Sequence, residues 1–220
     1  MRASVAGWFG GAMLASACAP RLYTPIDTAD TSGGGDSATS AWQAPTNGWP
    51  LATPPAGLVA EGWAPGQVVP DVRATDAAGD EVSLWQFFGL TVLVDISTMW
   101  CGPCQDLGAG SEKIYQDFKD EGFLYVTILH EDVDNGDVDA TELAQWAGLP
   151  TPSPEQPYDT ITAPVLADFR GAGGSLAAVE NGQYPVALIV GPDLRVVERV
   201  DPVTDAQIET LLEAWFAGGG

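Results

Sequence analysis

The stretch Leu90-Thr91-Val92-Leu93-Val94-Asp95-Ile96-Ser97-Thr98-Met99-Trp100-Cys101-Gly102-Pro103-Cys104 decides the reading of this chain. Its first half is an apolar, β-branched run that predicts a strand buried on both faces. The residues after it are compatible with a helix, which places Cys101 at a helix N-terminus. Unpaired N–H groups and the macrodipole there favour a thiolate. Cys104 follows one helical turn later, within reach to close a small disulfide, so the spacing implies a redox-active dithiol. The competing readings are a static disulfide and a closed zinc site. The latter would want two further ligands, and the chain offers only His130, its single histidine, and Cys18. Neither a metal nor another cofactor is expected.

The chain has 220 residues, enough for one well-cored domain with extensions. Thirty Asp and Glu stand against eight Lys and Arg, a net charge of −22. Nucleic acid and anionic membrane surfaces both require a basic face, so the charge argues against both as partners. The charge is read as a solubilising surface. Three cysteines are too few for a disulfide-rich scaffold.

Residues 1–17 read as a signal peptide: Met1-Arg2 is a minimal positive start, and Ala3 to Ala17 is uncharged, rich in Ala and Gly and short for a membrane span. Leu14-Ala15-Ser16-Ala17-Cys18 resembles the lipobox of bacterial lipoproteins, with leucine one place further from the cysteine than usual. That resemblance implies lipidation of Cys18 and a membrane anchor. Ordinary cleavage after Ala17-Cys18-Ala19 and an uncleaved N-terminal helix are the alternatives. Residues 18–57 read as a flexible tether, because Ser, Thr, Gly and Pro bury too little apolar area to offset their ordering entropy. Trp42 and Trp49 stand out in it, either docked on the domain or, more simply, loosely ordered.

A single domain is expected over residues 58–220. Gln67 to Ala74 and Glu81 to Leu84 flank the turn Ala77-Ala78-Gly79-Asp80 as a hairpin. Ser83 to Phe88 gives one helical turn, Leu90 to Ser97 a strand, and Cys101 to Asp120 a helix weakened or kinked at Gly108 and Gly110. Phe123 to Leu129 is a strand and Ala140 to Ala147 a helix. Pro164 to Ala167, Pro185 to Val190 and Arg195 to Val200 are strands, the last two joined through Gly191-Pro192-Asp193. Thr204 to Phe216 is a closing helix. The order implies an α/β class with a mixed sheet.

Trp100-Cys101-Gly102-Pro103-Cys104 after a strand, with a Pro-initiated strand near the C-terminus, resembles the thioredoxin superfamily, and within it the exported TlpA-like redoxins. Gly66-Gln67-Val68-Val69-Pro70-Asp71 and the hairpin from Asp76 to Leu84 resemble further elements of that family, and the likeness spans Leu58 to Ala217. It implies a thioredoxin fold: a mixed central sheet flanked by helices, with an N-terminal β-hairpin extension. Cys101 is then the attacking thiolate and Cys104 the resolving cysteine. Gly102 and Pro103 shape the loop, and Trp100 shields it. Asp95 relays a proton to or from Cys104, the bland alternative being a carboxylate bonded to nearby backbone. Pro185 is the cis-proline beside the pair, with Pro164 as the trans-proline rival. The backbone of Tyr184, which stands where the family has a small or β-branched residue, pairs with substrate.

The implied activity is thiol–disulfide oxidoreduction on disulfide-containing proteins outside the cytoplasm, in the periplasm or on the outer surface. The Gly-Pro dipeptide occurs in reducing members, with potentials near about −270 mV rather than roughly −120 mV. An electron donor or acceptor is required that the sequence does not name, and nothing demands more than a monomer. Two rival classes are a thiol peroxidase, suggested by Thr98-x-x-Cys101 although Val94 replaces an expected proline, and a non-catalytic binding module. His130 and the acidic loop Glu131 to Asp139 read as a strand end and a solvated loop, since the glycine is misplaced for an EF-hand.

Overall fold

The computed structural model describes residue 46 and residues 48–168 and 183–219. The segment read as a signal peptide, Cys18, Trp42 and most of the expected tether lie outside the described residues. Seven strands form one mixed sheet: β1 Arg73–Thr75, β2 Glu81–Ser83, β3 Thr91–Thr98, β4 Phe123–Glu131, β5 Val165–Asp168, β6 Val186–Val190 and β7 Val196–Val200. Their order across the sheet is β2-β1-β5-β4-β3-β6-β7. Among the described residues the α-helices are α1 Gly102–Phe118, α2 Ala140–Ala147 and α3 Asp205–Ala217.

β3 is central, and all eight of its residues are buried. It pairs parallel with β4 and antiparallel with β6. A parallel neighbour requires a crossover, and α1 supplies it. Strand alternation divides the core. Val92, Val94 and Ile96 face a layer built with Val68, Val69, Val72, Leu84 and Phe87. Leu93 faces the opposite layer, which contains Cys101, Cys104, Leu107 and Ile114 of the α1 segment, Trp146 of α2, and Ile208 and Leu212 of α3.

The thioredoxin-type order of elements and the N-terminal hairpin are as expected, and the differences have local causes. The strand expected from Gln67 shrinks to Arg73–Thr75. Pro70 has no N–H to give a ladder, and the N–H of Val72 is turned back to the Pro70 carbonyl. β4 runs to Glu131, whose carbonyl accepts from Met99 N–H. α1 is continuous across Gly108 and Gly110, correcting the expected weak point. A Cβ on Gly108 would lie 3.0 Å from the Trp146 ring and from Leu149, and one on Gly110 would lie 2.7 Å from Asp205 Cγ. The glycines give close approach rather than a bend.

The last part of the expected tether makes defined contacts with the domain. Trp49 packs against the core, its indole N–H donating to Asp76 Oδ2 at 3.3 Å. Thr46 donates through its N–H and hydroxyl to Asp80, and Pro50 O and Ala52 N–H bond Gln86. This stretch lies along the domain, because Trp49 supplies the apolar area that its neighbours lack.

Candidate active site

Cys101 is the N-cap of α1, in extended backbone conformation, and its carbonyl accepts from the N–H groups of Cys104 and Gln105. Gly102 opens the helix and Pro103 sits in its first turn, where a missing N–H costs nothing. Cys101 and Cys104 are joined by a disulfide, with Cα atoms 5.2 Å apart. Cys104 is fully buried, whereas Cys101 retains 6% exposure. Cys101 is therefore the cysteine of the pair that a second molecule reaches first. A Cβ on Gly102 would meet nothing within 4 Å, so crowding is not what requires glycine there.

Sheet register gathers the rest of the rim. Ile96 of β3 pairs with Val186 of β6, so the start of β6 abuts the end of β3, and Pro185 arrives beside the Cys segment. The Tyr184–Pro185 bond is cis, as is Asp201–Pro202, while Pro164 is trans. Leu129 pairs with Ala167, which brings His130 against Asp168, with Nδ1 2.7 Å from Oδ2.

Rings cover this edge. Tyr184 meets Trp100 edge-on at 5.8 Å and stacks on His130 at 6.2 Å. Trp100 is 39% exposed and donates its indole N–H to Glu131 Oε2 at 2.8 Å. Composition alone left His130 and Glu131 as strand-end and loop residues. Their place at the site follows only from the lengths of β4 and β5.

Asp95 is fully buried on β3. By alternation it shares the face of Leu93, which belongs to the cluster containing both cysteines. Ser97 Oγ donates to Asp95 Oδ1 at 2.7 Å, and the hydroxyls of Tyr125 and Thr127 reach Oδ2 at 3.4 Å. These are side-chain rather than backbone partners. Burial pushes the carboxyl up to about 7, against the downward pull of the three hydroxyls. Asp95 therefore keeps its proton to a higher pH than an exposed carboxylate does. Ser97 was legible as the same-face neighbour two residues on. Tyr125 and Thr127 required the β3–β4 register.

The AhpC/TSA family profile matches residues 65–199, more than half of the chain. The chain belongs to the AhpC/TSA family. No curated protein matches it significantly. Solved structures similar to this AhpC/TSA member include a thiol:disulfide interchange protein from Bacteroides sp., at 21% identity and TM-score 0.51, covering 69% of this chain and 89% of that one. The thioredoxin domain of a thiol-disulfide oxidoreductase from Bacteroides vulgatus matches at 20% identity and TM-score 0.52, covering 69% and 97%. A thioredoxin family thiol:disulfide interchange protein from Chlorobium tepidum matches at 15% and 0.50, covering 69% and 96%. At these identities the likeness is one of fold, and the fold is that of thioredoxin.

Proposed function

We propose that the protein is an exported thiol–disulfide oxidoreductase that reduces or exchanges disulfides in extracytoplasmic proteins. The observation that carries this reading is the Cys101–Cys104 disulfide at the N-terminus of α1, with Cys101 the less buried of the two. The family and the structural relatives, among them thiol:disulfide interchange proteins, support it. Cys18, as a lipidated residue, would anchor the chain to a membrane of the cell envelope, with the tether holding the domain away from it.

The chemistry balances as a two-electron exchange. In the reduced protein the Cys101 thiolate attacks one sulfur of a substrate disulfide, forming a mixed disulfide and releasing one substrate thiolate. The Cys104 thiol gives up its proton, and the thiolate attacks Cys101 Sγ. The second substrate thiolate leaves, and the Cys101–Cys104 disulfide remains. Asp95 takes the Cys104 proton and returns it when an external dithiol reduces the pair. Pro185 and the Tyr184 backbone receive the substrate strand. Trp100, Gly102 and Pro103 bound the approach to Cys101.

A Cys104→Ser variant of the full chain should accumulate a mixed disulfide through Cys101, which Cys101→Ser abolishes. Equilibration with dithiothreitol buffers, read on the Cys101–Cys104 peptide, should give a potential near about −270 mV for a reductase. A value near roughly −120 mV would reverse the direction of transfer. Peroxide consumption with a fast burst would instead favour the peroxidase branch of the family.

A further inference from the structure

The rim of the site holds the chain's one histidine, in contact with the residue that precedes Pro185. His130 Nδ1 lies 2.7 Å from Asp168 Oδ2, with the two side chains only 16% and 9% exposed. The pair is shielded from the solvent that makes most surface ion pairs worth little. The imidazole stacks on the Tyr184 ring at a centroid distance of 6.2 Å and an interplanar angle of 26°. Tyr184 in turn meets Trp100 edge-on, and Trp100 is held by its indole bond to Glu131. A run of contacts thus leads from Asp168 on β5, through His130 near the end of β4, to Tyr184 and to the residue before Cys101.

We propose that His130, fixed by Asp168, is a positioning residue that holds Tyr184 for capture of a protein disulfide, and that loss of its charge loosens that hold. This rests on the oxidoreductase reading of the site, in which the Tyr184 backbone receives the substrate strand. A ring held from two sides keeps that peptide edge in place before substrate arrives, so less ordering entropy is lost on binding. A carboxylate only accepts, so Nδ1 carries the proton in the bond to Asp168 whichever charge the ring bears.

Histidine ordinarily changes charge between about pH 5 and 8. As an imidazolium, His130 binds Asp168 as an ion pair and presents a cation to the face of Tyr184. As a neutral imidazole it keeps the hydrogen bond but loses the cation's attraction for the ring. Among the described residues, the titratable groups that face it are Asp168 from β5 and the Tyr184 phenol ahead of β6. Glu131, next along β4, turns its carboxylate to Trp100. A contact at 6.2 Å sits at the outer edge of cation–π reach, so loss of the charge should weaken substrate capture about two- to threefold.

The test mixes the pre-reduced full chain with insulin as the disulfide probe and measures the half-saturating insulin concentration from about pH 5 to about pH 8. Proton NMR of the imidazole runs beside it, unambiguous because the chain has no other histidine. In wild type, half-saturation should rise about two- to threefold at the pH where the histidine resonances titrate, while the maximal rate follows its own course. In His130→Gln, which can neither charge nor stack, half-saturation should stay high at every pH. In Asp168→Asn, which keeps an acceptor but loses the counter-charge, the histidine midpoint and the half-saturation step should move down in pH together. Profiles alike in wild type and His130→Gln overturn the proposal. So does a step that fails to track the histidine midpoint in wild type and Asp168→Asn, and that comparison decides should His130→Gln fail to fold. Absence of electron transfer to insulin at every pH removes the oxidoreductase reading and the proposal with it, whereas transfer with a flat half-saturation profile removes the proposal alone.

Discussion

Ser97 Oγ donates a 2.7 Å hydrogen bond to Asp95 Oδ1 from two residues further along the same buried strand. Among the described residues it is the one short bond that Asp95 receives; the hydroxyls of Tyr125 and Thr127 stand at 3.4 Å. Three hydroxyls do not offset the loss of water around a fully buried carboxylate, and the group therefore holds its proton up to about 7.

A stability prediction follows from the sign of that shift. The folded state binds the Asp95 proton more tightly than the unfolded chain, whose value is about 3.8. The contribution of Asp95 is thus fully present below that value, declines as pH rises, and is gone above about 7. Urea unfolding of oxidised wild type and Asp95→Asn should show their stability difference moving in favour of the variant by about 2–4 kcal/mol across this window. Parallel pH profiles would show that Asp95 ionises freely.

The same substitution should slow turnover while sparing attack. With Asn at position 95, resolution of the mixed disulfide by Cys104 should fall by about a hundredfold, the lower end of general-base effects. Rapid-quench analysis of the intermediate separates the two steps. Equal resolution rates would remove Asp95 from the proton path.

At the rim, Tyr184→Ala deletes the ring that joins Trp100 to His130. Each aromatic contact is worth about 0.5–1.5 kcal/mol, so a stability loss of about 1–3 kcal/mol is expected. KM for a protein disulfide should rise several-fold, with the rate towards dithiothreitol little changed. An equal effect on both substrates would mean that the ring tunes the cysteines rather than docking the protein.

Gly110→Ala tests the contact between α1 and α3. Alanine is the better helix former by about 1 kcal/mol, yet its methyl would collide with the Asp205 carboxyl. Overpacking costs about 1–3 kcal/mol, so the variant should melt lower than wild type. A higher melting temperature would show that Asp205 swings aside without penalty.

Trp49→Ala should cost about 1–3 kcal/mol, since the ring is partly buried against the core and bonded to Asp76. By the same argument, a chain beginning at Leu58 should be less stable than one beginning at Thr46, measured by thermal unfolding. Equal stability would return this stretch to the tether.

The buried run of β3 and the Trp-Cys-Gly-Pro-Cys motif were legible because each is local: apolar continuity marks a central strand, and the Cys spacing marks a helix start. The N-terminal hairpin was legible in type but not in length, since a pattern search over Gln67 to Ala74 does not weigh the missing N–H of Pro70. Gly108 and Gly110 were misread because glycine in a helix looks like weakness until the neighbours, Trp146 and Asp205, are in place. Thr127, Tyr125, His130 and Asp168 join the site through strand register, a non-local property that no window of sequence contains. Trp49 was visible as an exception within its surroundings, but its partner Asp76 lies 27 residues away.

The most direct test of the central claim is the rate at which the reduced full chain transfers electrons to a protein disulfide, followed beside Cys101→Ser. The account predicts stoichiometric formation of the Cys101–Cys104 disulfide in wild type, faster than dithiothreitol alone acts on the same substrate. It predicts no transfer in Cys101→Ser. Transfer at the dithiothreitol background rate, or transfer that survives loss of the Cys101 thiol, would contradict it.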